Sequence, residues 1–260
     1  IMDAARELGI TYPIVLDNNY EIWKSLENRY WPRRILLDAN GKTHQDITGE
    51  GNYVEFEKNI QLLLRELSPG LACPPILRPL RAADQADYEV PNTTAEIFLG
   101  LKKKARIGNV DLPTTAGDEI QFKDNSDGTY APDLPYFDGF WAATQDSMHG
   151  TSQKGEIRVT VNFTGTDAYL VARTRPKNPL DIPQLTKIQI IIDKKPIPDD
   201  ALGQDSFINE FRRSMVIVRD PRLYHLAKKL DHGAHELTIL AENDGVDTIE
   251  IFALFFEHSM

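Results

Sequence analysis

The sequence is poor in cysteine, in long apolar runs and in positive charge, and the shortages of cysteine and of positive charge each argue against a class of protein. Cys73 is the one cysteine among 260 residues, so the chain cannot form an internal disulfide or a Cys-x-x-Cys redox pair. No stretch approaches the roughly 18 apolar residues of a membrane-spanning helix, and no signal peptide is visible. Because the pattern indicates that the chain begins within a domain, we expect these two absences to exclude little. Acidic residues outnumber basic ones by 39 to 29, a formal net charge of −10. That balance, without a basic stripe, argues against a nucleic-acid partner.

Motifs of self-contained enzymes are missing too. The sequence has no nucleophile elbow, no P-loop and no dinucleotide fingerprint, so we expect no cofactor. A hydrolase acting at a cleft between domains likewise has no motif to support it.

Two short segments could suggest a metal site. His232 and His235 are three residues apart across Gly233, which is not the helical spacing of zinc ligands. The oxygen-rich residues 124–128 lack the glutamate of a calcium loop, because Pro135 stands there, and a polar Asx turn is the commoner use of such a string. We therefore predict no metal; the alternative at residues 124–128 is a calcium site that takes further ligands from distant parts of the chain.

The stretch 29–42 organises the first part of the chain. Pro32 opens a short apolar strand, and Asn40-Gly41 predicts a two-residue hairpin turn with a return strand over residues 43–48. A helix is predicted from Asn52, which forms a capping box with Glu55. Its apolar residues recur at helical spacing: Phe56, Ile60, Leu63, Leu64 and Leu67.

Upstream of this hairpin the pattern predicts a helix, a strand and a second helix. Residues 1–9 are typical of the end of a helix, stopped by Gly9. Residues 12–17 predict a short buried strand. Asn18 and Glu21 form a second capping box at the start of the next helix, whose apolar residues are Ile22, Trp23 and Leu26.

Residues 68–80 are rich in proline and glycine, a composition that stops helices and strands and makes a stiff linker. After them the pattern changes to short alternating strands. Residues 155–164 place Ile157, Val159, Val161 and Phe163 on one face of a strand. Further strands are predicted over residues 167–174, 186–193, 215–219, 235–242 and 248–257. Many short strands at this spacing predict an antiparallel β-sandwich of jelly-roll type over residues 81–260.

Two short segments in the first part resemble the thioredoxin-like domain of DipZ-type proteins. They are Asn28-Arg29-Tyr30-Trp31-Pro32 and Gly49-Glu50-Gly51-Asn52-Tyr53. In that resemblance Pro32 is the cis-proline beside the active-site dithiol. From the residues alone, an ordinary trans-proline opening an edge strand is the alternative; the resemblance favours the cis form.

The resemblance implies an α/β plus all-β chain. Residues 1–70 match the later part of a thioredoxin-like domain, residues 71–80 are the linker, and residues 81–260 are similar to carbohydrate-binding β-sandwich modules. The second match rests on Thr94-Ala95-Glu96-Ile97-Phe98-Leu99-Gly100, Trp141, Tyr169-Leu170-Val171, Gly203-x-Asp205 and Arg222-Leu223-Tyr224. The chain departs from the family at Arg33-Arg34, where small or apolar residues are usual, and it lacks the family's Cys-x-x-Cys, which is expected upstream of Ile1. We expect residues 1–70 not to fold well alone.

The function implied by the resemblance is thiol-disulfide exchange in an extracytoplasmic (periplasmic or cell-surface) setting, with an extended protein substrate at Trp31-Pro32. Because one thiol has no resolving partner, the chain alone should be redox-inactive. The alternative is a non-enzymatic module that binds carbohydrate or a protein partner, with the thioredoxin remnant as structural support.

Ligand binding in the second part is assigned to an aromatic loop and two arginines. Tyr130, Tyr136 and Phe137 are the candidates for stacking on a sugar, and Arg173 and Arg175 are candidate donors to hydroxyl or carboxylate groups. The competing interpretation is that these aromatics are buried, in the core or in a seal between the domains.

Overall fold

The structure is a computed structural model. It describes residues 5–6, 8–78, 92–109, 111–112, 115–124, 126–150, 155–176, 180–182, 185–241 and 248–258. Contacts between Cα atoms divide the chain into two compact units, residues 1–90 (the first unit) and residues 91–260 (the second unit). Within the described residues, no helix combines the length and apolarity that crossing a membrane requires.

In its described part the first unit has two helices and one antiparallel pair of strands with defined bounds, and Ala5 and Arg6 are also helical. Residues 1–4 and 7 of the helix predicted over residues 1–9 lie outside the described residues. The helices are α1 (Glu21–Ser25) and α2 (Tyr53–Leu67), and the strands are β1 (Arg33–Leu37) and β2 (Thr43–Thr48). The hairpin and the helix after it were predicted from sequence. Part of the predicted linker lies along α2, because the Gln61 side chain donates to the Pro74 carbonyl at 2.9 Å and the Leu77 amide donates to Glu57 at 2.9 Å. Residues 79 and 80 of that linker lie outside the described residues.

The hairpin turn is longer than predicted. Asp38 and Lys42 are joined by a hydrogen bond from the Asp38 amide to the Lys42 carbonyl at 2.9 Å, so three residues lie between them instead of two. The Asp38 carboxylate accepts from the amides of Asn40 and Lys42, each at 2.9 Å. Gly41 has φ of 76°, a left-handed conformation that glycine adopts without steric cost. The turn therefore depends on Asp38 as well as on Asn40-Gly41.

Both predicted capping boxes are wrong. Asn52 precedes α2 but has φ of 55° and makes no side-chain capping hydrogen bond. At α1 the cap comes from outside the predicted pair, because the Asp17 carboxylate accepts from the amides of Ile22 at 3.0 Å and Trp23 at 2.8 Å. These backbone hydrogen bonds, that from Trp23 above all, lower the pKa of Asp17. The capping rule therefore predicts roughly where α1 begins, but not which side chain accepts the hydrogen bonds from its first amides.

The predicted buried strand over residues 12–17 is also wrong. These residues are assigned no strand, and their apolar side chains are exposed, with Tyr12 at 68% and Val15 at 69%. The prediction of a strand rests only on the hydrophobic and β-branched composition of this segment. Strand formation requires a partner, and none pairs with it among the described residues.

The second unit is built of antiparallel strands, thirteen of which occur in its described part. Their bounds are β3 Ile97–Phe98, β4 Glu119–Phe122, β5 Pro135–Ala143, β6 Met148–Gly150, β7 Ile157–Thr164, β8 Asp167–Arg175, β9 Thr186–Ile192, β10 Lys195–Pro196, β11 Ser206–Ile208, β12 Ser214–Val218, β13 Arg222–Ala227, β14 Ala234–Ala241 and β15 Thr248–Glu257. The main path of hydrogen-bonded neighbours is β11-β12-β9-β14-β7-β5-β6-β15-β8-β13. A short 3-10 helix, Asp199–Ala201, precedes β11.

Alternation along the strands builds the core, as the sequence predicted. Ile157, Val159, Val161 and Phe163 of β7 are at most 2% exposed. Their counterparts on β14, which pairs with β7, include Leu237 at 0% and Ile239 at 3%. At about 25 cal/mol for each Å² removed from water, such burial is the main stabilising contribution in this unit.

One strand joins two groups of strands. Residues 135–138 of β5 pair with β7, whereas residues 139–143 pair with β4 and β6. The change of partner occurs at Gly139, which has φ of 93°. A Cβ atom there would lie 2.6 Å from the Glu156 carbonyl oxygen, so the site requires glycine for both its conformation and its space.

Candidate functional site

The Trp31–Pro32 turn lies immediately before β1, with its peptide bond in the cis form. The Gly49 amide donates to the Pro32 carbonyl at 2.8 Å, which fastens the turn to the loop after β2. Trp31 itself is 74% exposed. In the part of the chain that the structure describes, neither its amide nor its carbonyl has a hydrogen-bond partner. The backbone of Trp31 is therefore open to an incoming chain.

Arg33, at the first departure from the family pattern, ties this turn to two other elements. Its guanidinium forms a bidentate pair with Asp46, with Nε to Oδ1 at 2.9 Å and Nη2 to Oδ2 at 2.6 Å. Nη1 donates to the Leu26 carbonyl, just after α1, at 2.7 Å. The hydrogen bond from Arg33 lowers the pKa of Asp46. The arginine thus links α1, β1 and β2 around the turn.

Arg34, the second departure, holds the loop over residues 49–51. Its Nη2 donates to the Gly51 carbonyl at 2.5 Å and to the Gly49 carbonyl at 3.3 Å. The guanidinium carbon lies 4.4 Å from the centre of the Tyr53 ring and 5.4 Å from that of Phe56, a cation–π arrangement. Both arginines therefore support the turn instead of disrupting it.

An aromatic pocket of about 430 Å³ lies beside the turn. The Trp31 and Trp23 ring centres are 4.4 Å apart with planes tilted by 47°, and Tyr20 meets Trp23 edge-on at 6.4 Å. The lining residues are Val15, Leu16, Asp17, Asn18, Tyr20, Trp23 and Trp31. An exposed pocket with aromatic walls and some polar lining, next to open backbone groups, suits an extended polypeptide.

The predicted aromatic loop is only partly accessible. Phe137 is completely buried, with its ring centre 5.0 Å from that of Trp141 and 5.9 Å from that of Phe122. Its prediction as an exposed sugar platform is therefore wrong, because it points inward from β5. Trp141 is 1% exposed, as expected for a core residue.

Tyr130 and Tyr136 remain half-buried and pack against each other, with ring centres 4.9 Å apart. Their hydroxyl groups are engaged within the protein: Tyr130 donates to Asp124 at 2.6 Å, and Tyr136 accepts from the Ala131 amide at 3.1 Å. Burial and the hydrogen bond to Asp124 raise the pKa of Tyr130. The two tyrosines are therefore held by contacts within the protein and do not form an open stacking platform.

In the oxygen-rich segment near this loop, the Asp124 carboxylate is hydrogen-bonded to side chains of the protein. One Asp124 oxygen accepts from Ser126 at 2.6 Å, and the other accepts from Tyr130. Burial alone would raise the pKa of Asp124, but these hydrogen bonds outweigh it and lower the pKa. Among the described residues, no group of three or more His, Cys, Asp or Glu side chains is arranged to hold a metal. Asn125 lies outside the described residues.

His235 is held at both ring nitrogens. Nδ1 lies 2.7 Å from the Asp193 carboxylate and Nε2 lies 2.7 Å from the Asp231 carbonyl. The neighbouring histidine of the sequence motif, His232, instead meets the His258 ring at 4.7 Å. The two motif histidines thus have separate structural contacts.

Arg173 and Arg175 lie on β8, apart from the tyrosines. In the strand order β6 and β15 separate β8 from β5, so the structure does not gather the predicted tyrosines and arginines into one site. Arg173 Nε donates to Glu250 at 2.7 Å, and its guanidinium carbon lies 5.6 Å from the Phe252 ring centre. The arginines therefore belong to a different surface.

Sequence reasoning missed the residues around Arg173. Glu250 is 4% exposed and accepts from the hydroxyl of Ser147, which is fully buried, at 2.6 Å. His149 lies opposite Glu250 in the pairing of β6 with β15. The available signal was a charged residue between Ile249 and Ile251, at a position of β15 where alternation predicts the outer face.

Residues 94–256 match the sequence model of the family described as "Thioredoxin like C-terminal domain". Because the match covers well over half of the chain, the protein belongs to this family. Protein DipZ of Mycobacterium bovis and Protein DipZ of Mycobacterium tuberculosis are each 32% identical to it over 178 residues, which are 66% of this chain and 23% of either relative. The predicted resemblance to DipZ-type thioredoxin-like proteins is confirmed. The chain spans under a quarter of the length of these curated relatives.

A solved structure of a family two carbohydrate esterase from Clostridium thermocellum, in complex with cellohexaose, matches 43% of this chain and 27% of its own at 18% identity. A structure of an active-site mutant of a family two carbohydrate esterase from the same organism matches equally. Their TM-score is 0.29. A match at that level establishes neither a shared fold nor a shared ligand.

Proposed function

We propose that this chain is part of an extracytoplasmic thiol-disulfide oxidoreductase whose Cys-x-x-Cys lies upstream of Ile1. The observation that carries the proposal is the Trp31–Pro32 turn, with its open Trp31 backbone and the aromatic pocket beside it. The similarity to Protein DipZ supports the same assignment. In this proposal residues 1–70 are the later part of a thioredoxin-like domain, and Trp31-Pro32 holds an extended protein substrate.

Recognition at the turn combines two interactions. The amide and carbonyl of Trp31 pair with the backbone of the substrate, which gives affinity independent of sequence. Trp23, Trp31 and Tyr20 then receive an apolar side chain, a role for which large exposed rings are suited. Arg33 and Arg34 keep the turn in place through their contacts to α1, β2 and the loop over residues 49–51.

Substrate binding is tested with a reduced, carboxymethylated and unfolded protein as the ligand. Titration of the chain with this ligand should change tryptophan fluorescence and give saturable binding that Trp31→Ala weakens. Tyr30→Ala is the matched control, because Tyr30 is also exposed, at 64%, but does not line the pocket. Equal binding by Trp31→Ala and the parent chain would contradict the assignment of the turn.

The redox part of the proposal makes a separate prediction. This chain should not turn over insulin with dithiothreitol, because Cys73 can form a mixed disulfide but has no second thiol to resolve it. The same chain extended upstream to include the proposed dithiol should be active. Turnover by the present chain that disappears in Cys73→Ser would show that Cys73 is catalytic.

The second unit supports a second candidate function, ligand binding by a β-sandwich of jelly-roll type similar to carbohydrate-binding modules. The favouring observation is the half-exposed Arg173, fixed by Glu250 on the outer side of β8. If upstream sequence brings no dithiol, the whole protein is a non-enzymatic module for carbohydrate or a protein partner, and the first unit is structural. Glycan-array screening of the full chain, followed by calorimetry, tests this candidate.

A further inference from the structure

Three neighbouring strands bring ionisable side chains into one row in the second unit. Pairing of β6 with β15 places His149 opposite Glu250, and pairing of β15 with β8 places Glu250 opposite Arg173. Met148 and Gly150 on β6, like Ile249 and Ile251 on β15, are buried. Since side chains alternate along a strand, the row His149–Glu250–Arg173 lies on the opposite face of these strands.

Glu250 is the fixed centre of this row. Its carboxylate is almost fully buried, yet Ser147 and Arg173 supply two hydrogen bonds, at 2.6 Å and 2.7 Å. Burial alone would raise the pKa of Glu250, but these two hydrogen bonds outweigh it and lower the pKa, so the group is ionised at neutral pH. Thr144 lies 2.6 Å from the Ser147 hydroxyl and completes the support. The network holds a negative charge beneath Arg173 and thereby fixes the arginine.

Arg173 is consequently an oriented donor. Nε is bound to Glu250 and the guanidinium lies over Phe252, while 42% of the side chain stays exposed. Its two terminal nitrogens have no hydrogen-bond partner among the described residues. A guanidinium held in place through Nε, with both terminal nitrogens open, matches the geometry of a carboxylate.

Arg175 adds a second cation on the same face. It lies two residues further along β8, about 7 Å away by strand geometry. Glu119 also faces His149, so two carboxylates, those of Glu250 and Glu119, lie near the two arginines. Burial and the nearby Arg175 lower the pKa of His149, so its ring adds no charge at neutral pH. A phosphate dianion or a nucleic acid brings more negative charge than a single carboxylate to a chain of net charge −10, which disfavours both as ligands here.

We propose that the surface formed by Arg173, Arg175, His149 and Phe252 binds the carboxylate of an acidic saccharide of the uronic acid type. The inference rests on the proposed ligand-binding function of the second unit and names its ligand class. Arg173 receives the carboxylate as a bidentate partner, and the Phe252 ring packs against the apolar face of the sugar. Neutral sugars lack the charge-assisted part of this contact.

Calorimetry on the full chain tests the inference with trigalacturonic acid and its methyl ester, in which each negative carboxylate is replaced by a neutral ester that carries one added methyl group. We expect the acid to bind about 10- to 100-fold more tightly, the range of a charge-assisted hydrogen bond. Equal affinities for acid and ester would overturn the inference while leaving the proposed ligand binding intact. Failure of both, together with a silent array of neutral and acidic glycans, would overturn both.

Variants locate the site. Arg173→Lys keeps the charge but removes the planar fork, and should weaken binding of the acid by at least about tenfold. Arg175→Met leaves the Arg173–Glu250 pair intact and should also weaken it, which keeps the inference testable if Arg173 variants fail to fold. Arg219→Met is the matched control, because Arg219 is an exposed arginine paired with Asp220 outside the row. Loss of affinity in the control equal to that in Arg175→Met would overturn the assignment.

His149 supplies a readout that a purely structural role would not change. The groups facing it are Glu250, Arg173, Arg175 and, across Ala142, Glu119. A bound carboxylate favours the protonated ring, so the pKa of His149 measured by NMR should rise when trigalacturonic acid is added. The methyl ester should leave it unchanged. An identical His149 titration with acid and ester would contradict binding in this row.

Discussion

The two units of the chain differ most in what they do with apolar side chains. In the described part of the first unit, the buried apolar residues are Ala5 and Leu63, each 9% exposed. In the second unit one continuous cluster runs from Ile97 to Phe256, with many side chains at 0–2%. The first unit instead exposes rings and branched side chains such as Trp31, Tyr12 and Val15.

This difference shows that the two units are stabilised in different ways. The second unit has the buried apolar surface from which folded domains gain most of their stability. The described part of the first unit relies on local contacts, among them the Asp38 turn, the Asp17 cap and the Arg33–Asp46 pair. Exposed ion pairs and turns contribute little individually. We therefore expect the second unit to unfold cooperatively and the first to respond weakly to single substitutions.

The largest expected effect is a core truncation in the second unit. Phe137→Ala should lower the free energy of unfolding by about 3–5 kcal/mol, because it leaves a cavity beside Trp141 and Phe122. Val15→Ala in the first unit should change it by less than about 0.5 kcal/mol, since Val15 is exposed. Urea denaturation followed by circular dichroism measures both. Similar decreases in the free energy of unfolding in the two variants would contradict the expected difference between the two units.

A smaller effect is expected from the polar network under Arg173. Ser147→Ala leaves one oxygen of the buried Glu250 carboxylate without its donor and should cost about 1–3 kcal/mol. Ser68→Ala is the control in the first unit, because Ser68 is exposed after α2, and it should be near neutral. A near-neutral Ser147→Ala would show that water replaces the hydroxyl.

Acidification should act on the second unit through two groups with lowered pKa values. The pKa of His149 in the folded protein lies below its ordinary 6.5, so folding disfavours protonation of the ring. The free energy of unfolding is therefore unaffected by this ring above pH 6.5 and declines as the pH falls below that value. The pKa of Glu250 lies below its ordinary 4.5, so its contribution persists until the pH falls below 4.5 and is lost through the lower folded value. Each unit of pKa difference corresponds to about 1.4 kcal/mol.

Urea midpoints between pH 8 and pH 3 measure this profile. His149→Gln should remove the decline that begins near pH 6.5 and keep the more acidic one. A single acidic transition that is identical in the parent and in His149→Gln would contradict the assignment.

The smallest effect should be confined to α1. Asp17→Ala removes the acceptor for the Ile22 and Trp23 amides, so NMR shifts of residues 21–25 should move toward random-coil values while the urea midpoint of the second unit stays constant. Asn18→Ala should do neither, because the predicted Asn18 cap is wrong. A shifted midpoint in Asp17→Ala would show that the first unit is more cooperative than its burial suggests.

The sequence predicted the second unit well because its strands obey a simple rule. Alternation in β7, β8, β9, β12, β14 and β15 places apolar side chains on a buried face, and period two is visible within one strand. The predicted residues 248–257 coincide with β15. The family resemblance added what periodicity could not, namely which thioredoxin-like proteins this chain is similar to.

The remaining features depend on contacts that sequence spacing does not encode. Asp17 replaces Asn18 as the cap because of where the chain turns before α1, and residues 12–17 lack the partner that a strand requires. The Ser147–Glu250 contact joins residues 103 positions apart. The sequence predicts a loop at Phe137, whereas the residue lies in β5, where its side chain points inward.

The position of β15 also bears on how the protein is made. Of the strands in the second unit it is synthesised last, yet it lies between β6 and β8 and pairs with β3 as well. Until residue 257 has left the ribosome, those three strands carry unpaired edges that can join other chains. A premature stop before residue 248 should therefore yield aggregated protein, not a smaller folded domain.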